Sequence, residues 1–193
     1  MEPRRAGGER RVRPVPFAAR PGKGAHLLVE AFRRLDTPLR LVVAGGSSHS
    51  DDYVRRLQGT AAGDTRILFA GPVAGAKWAE LLSNARLFVL PSTLEGMPIV
   101  LLEAMGHARP CLASDLAESL EIVEPDPGGP RFARTFRAGD ADDLARALGE
   151  ALADPAGMAA TGRAAREMVR ARFGWDAIAD RVEAVYRESL GRR

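Results

Sequence analysis

The stretch Leu87-Phe-Val-Leu-Pro-Ser-Thr-Leu-Glu-Gly-Met-Pro-Ile-Val-Leu-Leu-Glu-Ala-Met-Gly-His-Ala-Arg-Pro-Cys-Leu-Ala113 decides the fold. Its first four residues are apolar, as in a strand that is buried on both faces. A polar turn then leads into a segment of helical length at 98–106, and a second short apolar run follows at 110–113. A strand, a helix and a strand at this spacing predict two parallel strands joined by a right-handed crossover.

The same alternation extends to both sides of this stretch. Further strands are predicted at 15–19, 39–44, 66–69 and 134–136, and helices at 25–35, from 51, at 77–84 and at 116–123. Three more helices are predicted at 140–152, 158–172 and 177–190. The pattern predicts an α/β fold, a doubly wound parallel sheet with helices stacked at its C-terminal end. A chain of 193 residues fits one such domain at 15–193, and residues 1–14, which are poor in apolar side chains, are expected to be a disordered tail or linker.

The composition limits the classes of partner. The formal net charge is only +3, and the arginines are spread along the chain, which favours a solvated surface over nucleic-acid binding. A single cysteine, Cys111, excludes an intramolecular disulfide and is expected to act as a small buried apolar residue. No apolar run approaches the length of a membrane span and no signal peptide is recognised, so a cytoplasmic protein without membrane association is expected.

Three glycine- or serine-rich loops follow predicted strands, around Lys23, at 45–50 and at 92–98. Ligands of doubly wound sheets bind outside the carboxyl ends of the strands, so these loops mark the expected site. Lys23 is one of only two lysines in an arginine-rich chain, which suggests that a compact ammonium is needed there, as for a phosphate contact. Gly96 permits close backbone approach and Pro98 suits a helix start, whose free amides can seat an anion. An ordinary strand-to-helix turn uses similar residues.

Glu103 lies in the predicted helix 98–106, which is apolar on nearly every face, and it shares one face with Ile99 and Gly106. An ionised carboxylate in apolar surroundings is unfavourable unless it is paired or hydrogen-bonded. One interpretation is that Glu103 accepts hydrogen bonds from a ligand diol. The other is a structural glutamate that is bonded to a neighbouring loop or arginine.

Glu95 and Glu103 are separated by seven residues, and this spacing, with the residues around it, resembles a known family. The stretch 88–105 is similar to that of the retaining glycosyltransferases of the GT-B class, family 4, also called glycosyl transferases group 1. The similarity continues in Lys23-Gly24, in 41–46, in 69–71 before the base-binding loop, and in 110–115, 139–140, 173–176 and 185–186. The resemblance implies a Rossmann-like GT-B half domain that binds a nucleotide-diphosphate sugar as donor.

The resemblance also implies a role for each site residue. Glu103 should bind the ribose hydroxyls, and Glu95 should lie near the hydroxyls of the transferred sugar. The start of the helix should contact sugar and phosphate through its backbone, at Gly96, Met97, Pro98 and Ile99. Lys23 and Arg20 should neutralise the pyrophosphate as the glycosidic bond breaks, with retention of the anomeric configuration and with no metal ion or other cofactor.

Two positions depart from the family pattern. Only two residues separate Arg20 from Lys23, where the family has about four, so either the loop is shorter or the arginine role is vacant. Ala108 stands where the family places glycine, and a positive φ there would cost an alanine about 1 kcal/mol.

The resemblance further implies that the chain corresponds to one half of a two-domain enzyme. Besides the nucleotide sugar, the expected partner is a separate N-terminal acceptor-binding domain or subunit. The apolar face of the last helix, with Ile178, Val182, Val185 and Tyr186, is then expected to be partly unsupported or to dock elsewhere. Two alternatives stay open: a non-catalytic interaction module on the same fold, and an enzyme that resembles a sugar-nucleotide epimerase.

Overall fold

The computed structural model describes residues 14–17, 23–45 and 51–191, with the backbone alone at 14–17 and at 51. The predicted tail or linker, 1–14, therefore lies outside the described residues except for Pro14, where the first strand begins. Within the described ranges, no helix combines the length and the apolar character needed to cross a membrane.

Strands and helices alternate along the described chain, as the sequence predicts. The strands are β1 Pro14–Phe17, β2 Arg40–Ala44, β3 Ile67–Gly71, β4 Phe88–Leu90, β5 Cys111–Ser114 and β6 Arg134–Phe136. The helices are α1 Ala25–Arg33, α2 Asp51–Ala61, α3 Gly75–Asn84, α4 Ile99–Gly106, α5 Ala117–Val123, α6 Ala141–Ala153, α7 Pro155–Phe173 and α8 Trp175–Gly191. Every predicted element has a counterpart, and the bounds differ by up to three residues.

All strand pairs are parallel, and they form two three-stranded sheets, β1-β2-β3 and β4-β5-β6. Strand β1 lies against β4, so the six strands follow the spatial order β3-β2-β1-β4-β5-β6. This order confirms the predicted doubly wound arrangement. The chain changes direction across the sheet between β1 and β4, and the crevice outside their carboxyl ends is where such sheets bind ligands.

The core lies on both faces of the strands. Phe88 and Leu90 pack in one buried cluster with α4 and α7, whereas Val89 packs in a second cluster with α1 and α6. Successive side chains of a strand point to opposite faces, so a strand covered on both sides needs an unbroken apolar run. This requirement explains why the sequence at 88–90 does not alternate between apolar and polar residues.

Helix α4 ends in a turn that fixes the backbone before β5. Ala108 has a φ of 55°, the conformation in which glycine is favoured. Its amide donates to the carbonyl oxygen of Met105 at 2.8 Å. Helix α7 packs directly on this turn, because a Cβ at Gly162 would lie 2.6 Å from the carbonyl oxygen of Ala108.

Helix α8 packs mainly on α7, and none of its residues is buried. Val182, Val185 and Tyr186 face solvent at 50%, 63% and 66% exposure, whereas Ile178 is half-buried. The face is therefore partly unsupported, which is one of the two expected arrangements.

Candidate functional site

A cleft of about 660 Å³ opens at the carboxyl ends of β1 to β4. Residues from the four loops that follow these strands line it, together with side chains from α3 and α4. The cleft thus occupies the crevice at the topological switch point, where loops from both halves of the sheet meet.

Lys23 and Glu95 form an ion pair in this cleft between the Nζ and Oε2 atoms. The other carboxylate oxygen of Glu95, Oε1, accepts a hydrogen bond of 2.6 Å from the Ser92 hydroxyl. Ser92 is fully buried and Glu95 is only 9% exposed. A buried carboxylate requires partners for its oxygens, and Lys23 and Ser92 provide one for each oxygen of Glu95.

The loop that carries Lys23 packs tightly on the loop that carries Glu95. Gly24 has a φ of 62°, and a Cβ at this position would lie 1.8 Å from the carbonyl oxygen of Pro91. Only glycine fits such a contact, since every other residue has a Cβ. The glycine after Lys23 therefore sets the approach of the two loops and, through it, the pairing of Lys23 with Glu95.

Glu103 is exposed to the cleft, and the expectation that it lies in apolar surroundings is wrong. Helix α4 buries Leu101, Ala104 and Met105, whereas Ile99 on the face of Glu103 is 60% exposed. The cleft leaves this face open, so the apolar composition of α4 does not bury all of its sides. The buried carboxylate of the pair is Glu95 instead.

Glu103 has one hydrogen-bond partner that the sequence did not suggest. The indole Nε1 of Trp78, on α3, donates to its Oε2 atom at 2.8 Å. The ring of Trp78 packs edge-on against Phe88, with centroids 6.4 Å apart, so the donor is held by β4. Trp78 and Ser92 are two hydrogen-bond partners of the candidate site residues that sequence reasoning missed. Trp78 lies on another helix, 25 residues before Glu103, so no local pattern links these two residues, whereas Ser92 lies in the same loop as Glu95, three residues before it.

The start of α4 differs from the expected geometry at two positions. The helix begins at Ile99, with Pro98 before it at φ −79° and ψ 75°, and the Ile99 amide donates to the carbonyl oxygen of Met97 at 2.9 Å. This is an inverse γ-turn, which occupies one amide, and Pro98 has no N–H to offer. The predicted amide contact at Ile99 is therefore not available in this conformation. The amides of Gly96 and Met97 have no acceptor within the described chain.

Most predicted site residues meet in the cleft. Its lining includes Lys23, Glu95, Met97, Pro98, Ile99 and Glu103. Gly96 lies between two of these residues on the same loop and is exposed. Arg20 falls outside the described residues. In the described part of the chain, no three His, Cys, Asp or Glu side chains converge as metal ligands would.

The match to a family model covers most of the chain. The model described as "Glycosyl transferases group 1" matches residues 16–154. Among curated proteins, the D-inositol 3-phosphate glycosyltransferase of Xylanimonas cellulosilytica is 32% identical over 89% of this chain and 40% of its own length.

Solved structures share the fold. The sucrose-phosphate synthase from Thermosynechococcus elongatus superposes with a TM-score of 0.78 at 28% identity, over 94% of this chain and 46% of its own. The Anabaena protein HepE in complex with UDP and glucose superposes with a TM-score of 0.81 at 22% identity, over 91% of this chain and 48% of its own. The chain thus spans less than half the length of these similar proteins.

Proposed function

We propose that this chain, which belongs to the group 1 glycosyl transferases, is the part of a retaining glycosyltransferase that binds the nucleotide-diphosphate sugar. The observation that carries the proposal is the presence in one cleft of the Lys23–Glu95 ion pair and of Glu103, which Trp78 orients. An ammonium, two carboxylates and a helix start are the groups that a sugar diphosphate requires.

The roles follow from charge and position. The pyrophosphate is bound by Lys23 and by the amides of Gly96 and Met97 at the positive end of α4. The ribose hydroxyls donate to the free oxygen of Glu103, because Trp78 already occupies Oε2. The hydroxyls of the transferred sugar lie near Glu95, whose carboxylate is fixed by Ser92.

During transfer, the bond between the anomeric carbon and the phosphate oxygen breaks, and negative charge accumulates on the leaving nucleoside diphosphate. Lys23 and the α4 amides stabilise that charge electrostatically. Arg20 is a further cation for the same phosphates. We propose that these groups suffice without a metal ion, so that chelation of divalent cations with EDTA leaves donor affinity unchanged. No covalent intermediate on the protein is assigned.

The proposed acceptor-binding partner is an N-terminal α/β domain or subunit. Two observations support it: the chain spans less than half the length of its relatives, and α8 exposes Val182, Val185 and Tyr186. An apolar face of this kind on a helix is typical of a surface that contacts another domain.

Calorimetric titration with UDP, GDP and their sugars tests donor binding, and UDP is the first probe because HepE was solved with it. We expect Glu103→Ala to weaken binding by roughly 100-fold, since two charge-assisted hydrogen bonds are lost. Glu121→Ala, on the exposed side of α5, is the matched control and should bind as the unmodified chain does.

Two outcomes would overturn this function. One is a folded chain that binds no nucleotide, which leaves the interaction module as the explanation. The other is nucleotide binding that Glu103→Ala does not change. Product analysis separates the epimerase alternative, because an epimerase converts the sugar of the donor whereas a transferase releases the nucleoside diphosphate.

A further inference from the structure

A second cavity of about 380 Å³ lies at the opposite end of the strands from the cleft. The segments 85–87 and 108–110, which enter β4 and β5, form one side of it. The end of α6 and the first turns of α7 form the other side. None of its lining residues belongs to the cleft that contains Lys23 and Glu95.

Three arginines line this cavity and no acidic residue does. They are Arg86, Arg109 and Arg163. Within the described chain, neither Arg86 nor Arg163 has a carboxylate within ion-pair distance, whereas Arg170 on the same helix pairs with Glu167. The cavity therefore combines cations from three separate segments and carries a local excess of positive charge.

Arg109 is held in a fixed orientation. Its Nε donates to the carbonyl oxygen of His107 at 2.9 Å, and its Nη1 donates to the carbonyl oxygens of Ser83 and Ala85 at 3.2 and 3.3 Å. These bonds tie the segment before β4 to the segment before β5. The guanidinium is thereby placed at the cavity wall before any ligand arrives, which reduces the entropy lost on binding.

The rest of the lining is apolar. Leu87 and Met158 are 2% and 3% exposed, and Ala151, Leu152 and Pro155 lie beside them. Leu87 and Met158 already pack in the core, so the accessible apolar surface is that of Leu152 and Pro155, which a bare inorganic anion would leave without a partner. An organic anion whose charged end meets the arginines and whose apolar end meets Leu152 and Pro155 would satisfy both parts.

We propose that this cavity binds a phosphate monoester that carries an apolar group. The dianionic phosphate matches several guanidinium groups better than a singly charged carboxylate does, and guanidinium binds phosphate oxygens in pairs. The same chemistry occurs in a free small molecule and in the headgroup of phosphatidic acid. The site is independent of the donor cleft and of the function proposed for it.

Phenyl phosphate is the probe for the free molecule, with amide chemical shifts of the isotope-labelled chain as the readout. We expect the shifts to change at 85–87, 108–110 and 155–163. Arg86→Ala and Arg163→Ala should each weaken the affinity at least fivefold, and the control Arg170→Ala should not. Inorganic phosphate and phenol should each bind more weakly than phenyl phosphate.

Vesicles of phosphatidylcholine with and without phosphatidic acid test the lipid source. Sedimentation of the chain with the phosphatidic acid vesicles, lost in Arg86→Ala and Arg163→Ala, supports a lipid headgroup as the ligand. The proposal is overturned if neither probe binds, if the shifts are confined to the donor cleft, or if the two variants bind as the unmodified chain does. Equal affinity for inorganic phosphate and phenyl phosphate overturns the apolar part of the proposal.

Discussion

Lys23 and Glu95 pair across the point where the strand order reverses, with the ammonium from the β1 side and the carboxylate from the β4 side. Lys23 is 29% exposed at its side chain and Glu95 only 4%. The ammonium can therefore reach a ligand phosphate from the open side of the cleft while the carboxylate stays in place. In the proposed function, Lys23 interacts with Glu95 and with the donor phosphate at the same time.

These two interactions of Lys23 predict opposite effects of Glu95→Gln on two ligands. The substitution removes the competing charge from Lys23, so we expect the affinity for a nucleoside diphosphate to be unchanged or higher. The affinity for the nucleotide sugar should fall relative to that of the diphosphate, by about tenfold, because a charge-assisted bond to a sugar hydroxyl is weakened. Calorimetry with UDP and with a UDP-sugar measures both.

Lys23→Ala provides the comparison, since it should weaken the diphosphate and the nucleotide sugar alike. Equal loss of both ligands in Glu95→Gln would contradict the role of Glu95 at the sugar. Urea unfolding of each variant reports the effect on folding, which we expect to be a loss of about 1–3 kcal/mol for a disrupted buried partner.

Gly24→Ala should destabilise the chain and disrupt the site together. The new Cβ would overlap the carbonyl oxygen of Pro91, which is backbone and cannot rotate away, and it would also force alanine into a positive φ. We expect the free energy of unfolding to fall by more than the roughly 1 kcal/mol of the left-handed conformation alone.

Gly63→Ala is the matched control for Gly24→Ala. Gly63 has a φ of 85°, and no atom lies within 4 Å of the position that a Cβ would occupy. Gly63→Ala therefore forces an alanine into a positive φ but causes no steric clash. Similar losses of stability in the two variants would show that the contact with Pro91 is not needed. Thermal unfolding followed by circular dichroism distinguishes the two cases.

Much of the fold follows from the sequence because each strand of this sheet is an apolar run with turn residues at both ends. The segment 87–113 predicts the central strands correctly, because the apolar run around Val89 is buried on both faces of the sheet. The start of α7 was placed too late, at 158 instead of 155. Asp154 caps this helix by accepting from the Gly157 amide at 2.9 Å, and Pro155 opens it, a signal that apolar periodicity does not contain.

The sequence predicts which loops form the site, but it does not predict which side chains pair within it. Loops after parallel strands converge at one edge of the sheet, and this topology brings Lys23, Glu95 and Glu103 together. Burial was assigned to the wrong glutamate, because the composition of α4 does not reveal which of its faces borders a cleft. The Trp78–Glu103 bond joins two helices, and a contact of that kind has no local sequence signature.

Trp78→Phe should weaken nucleotide binding while it preserves the fold. Phenylalanine retains a ring beside Phe88 but has no N–H for Glu103, so the carboxylate loses the donor that orients it. We expect a loss of about tenfold in affinity, equivalent to about 1.4 kcal/mol. Calorimetry with UDP measures the loss directly.

Trp175→Phe is the control, because Trp175 is the other tryptophan of the chain and is 84% exposed. Trp175→Phe should leave the affinity for nucleotide unchanged. Trp78 is then the only tryptophan in the sequence, and its fluorescence should change when nucleotide binds. No fluorescence change on saturation with a nucleotide that calorimetry detects would place the ligand away from Trp78.

Ala108→Gly should raise stability. The left-handed conformation of an alanine costs about 1–2 kcal/mol, which exceeds the roughly 0.4–1 kcal/mol of unfolded-state entropy that a glycine adds. We expect a gain of up to about 1 kcal/mol in the free energy of unfolding. The same change at Ala164, exposed within α7, should instead destabilise by about 1 kcal/mol. A loss at both positions in urea unfolding would contradict the strain at Ala108.

The buried thiol of Cys111 predicts a loss of stability at alkaline pH. Burial raises the pKa of this thiol well above its usual range, and the charge of Arg109 offsets only part of the effect. A raised folded-state pKa favours the protonated thiol in the folded chain. The contribution of this thiol to the free energy of unfolding is therefore complete below the pKa of the unfolded chain, and it falls as the pH rises above about 8.5. The expected slope is about 1.4 kcal/mol for each pH unit.

Urea unfolding between pH 7.5 and pH 10 measures this slope against Cys111→Ala, which retains every other titrating group. As the pH rises, the free energy of unfolding of the unmodified chain should fall relative to that of Cys111→Ala. Alkylation of Cys111 by iodoacetamide should proceed only as fast as the core opens, since the thiol is fully buried in the folded chain. Rapid alkylation of the folded chain, with parallel pH profiles for the two proteins, would contradict the buried neutral thiol.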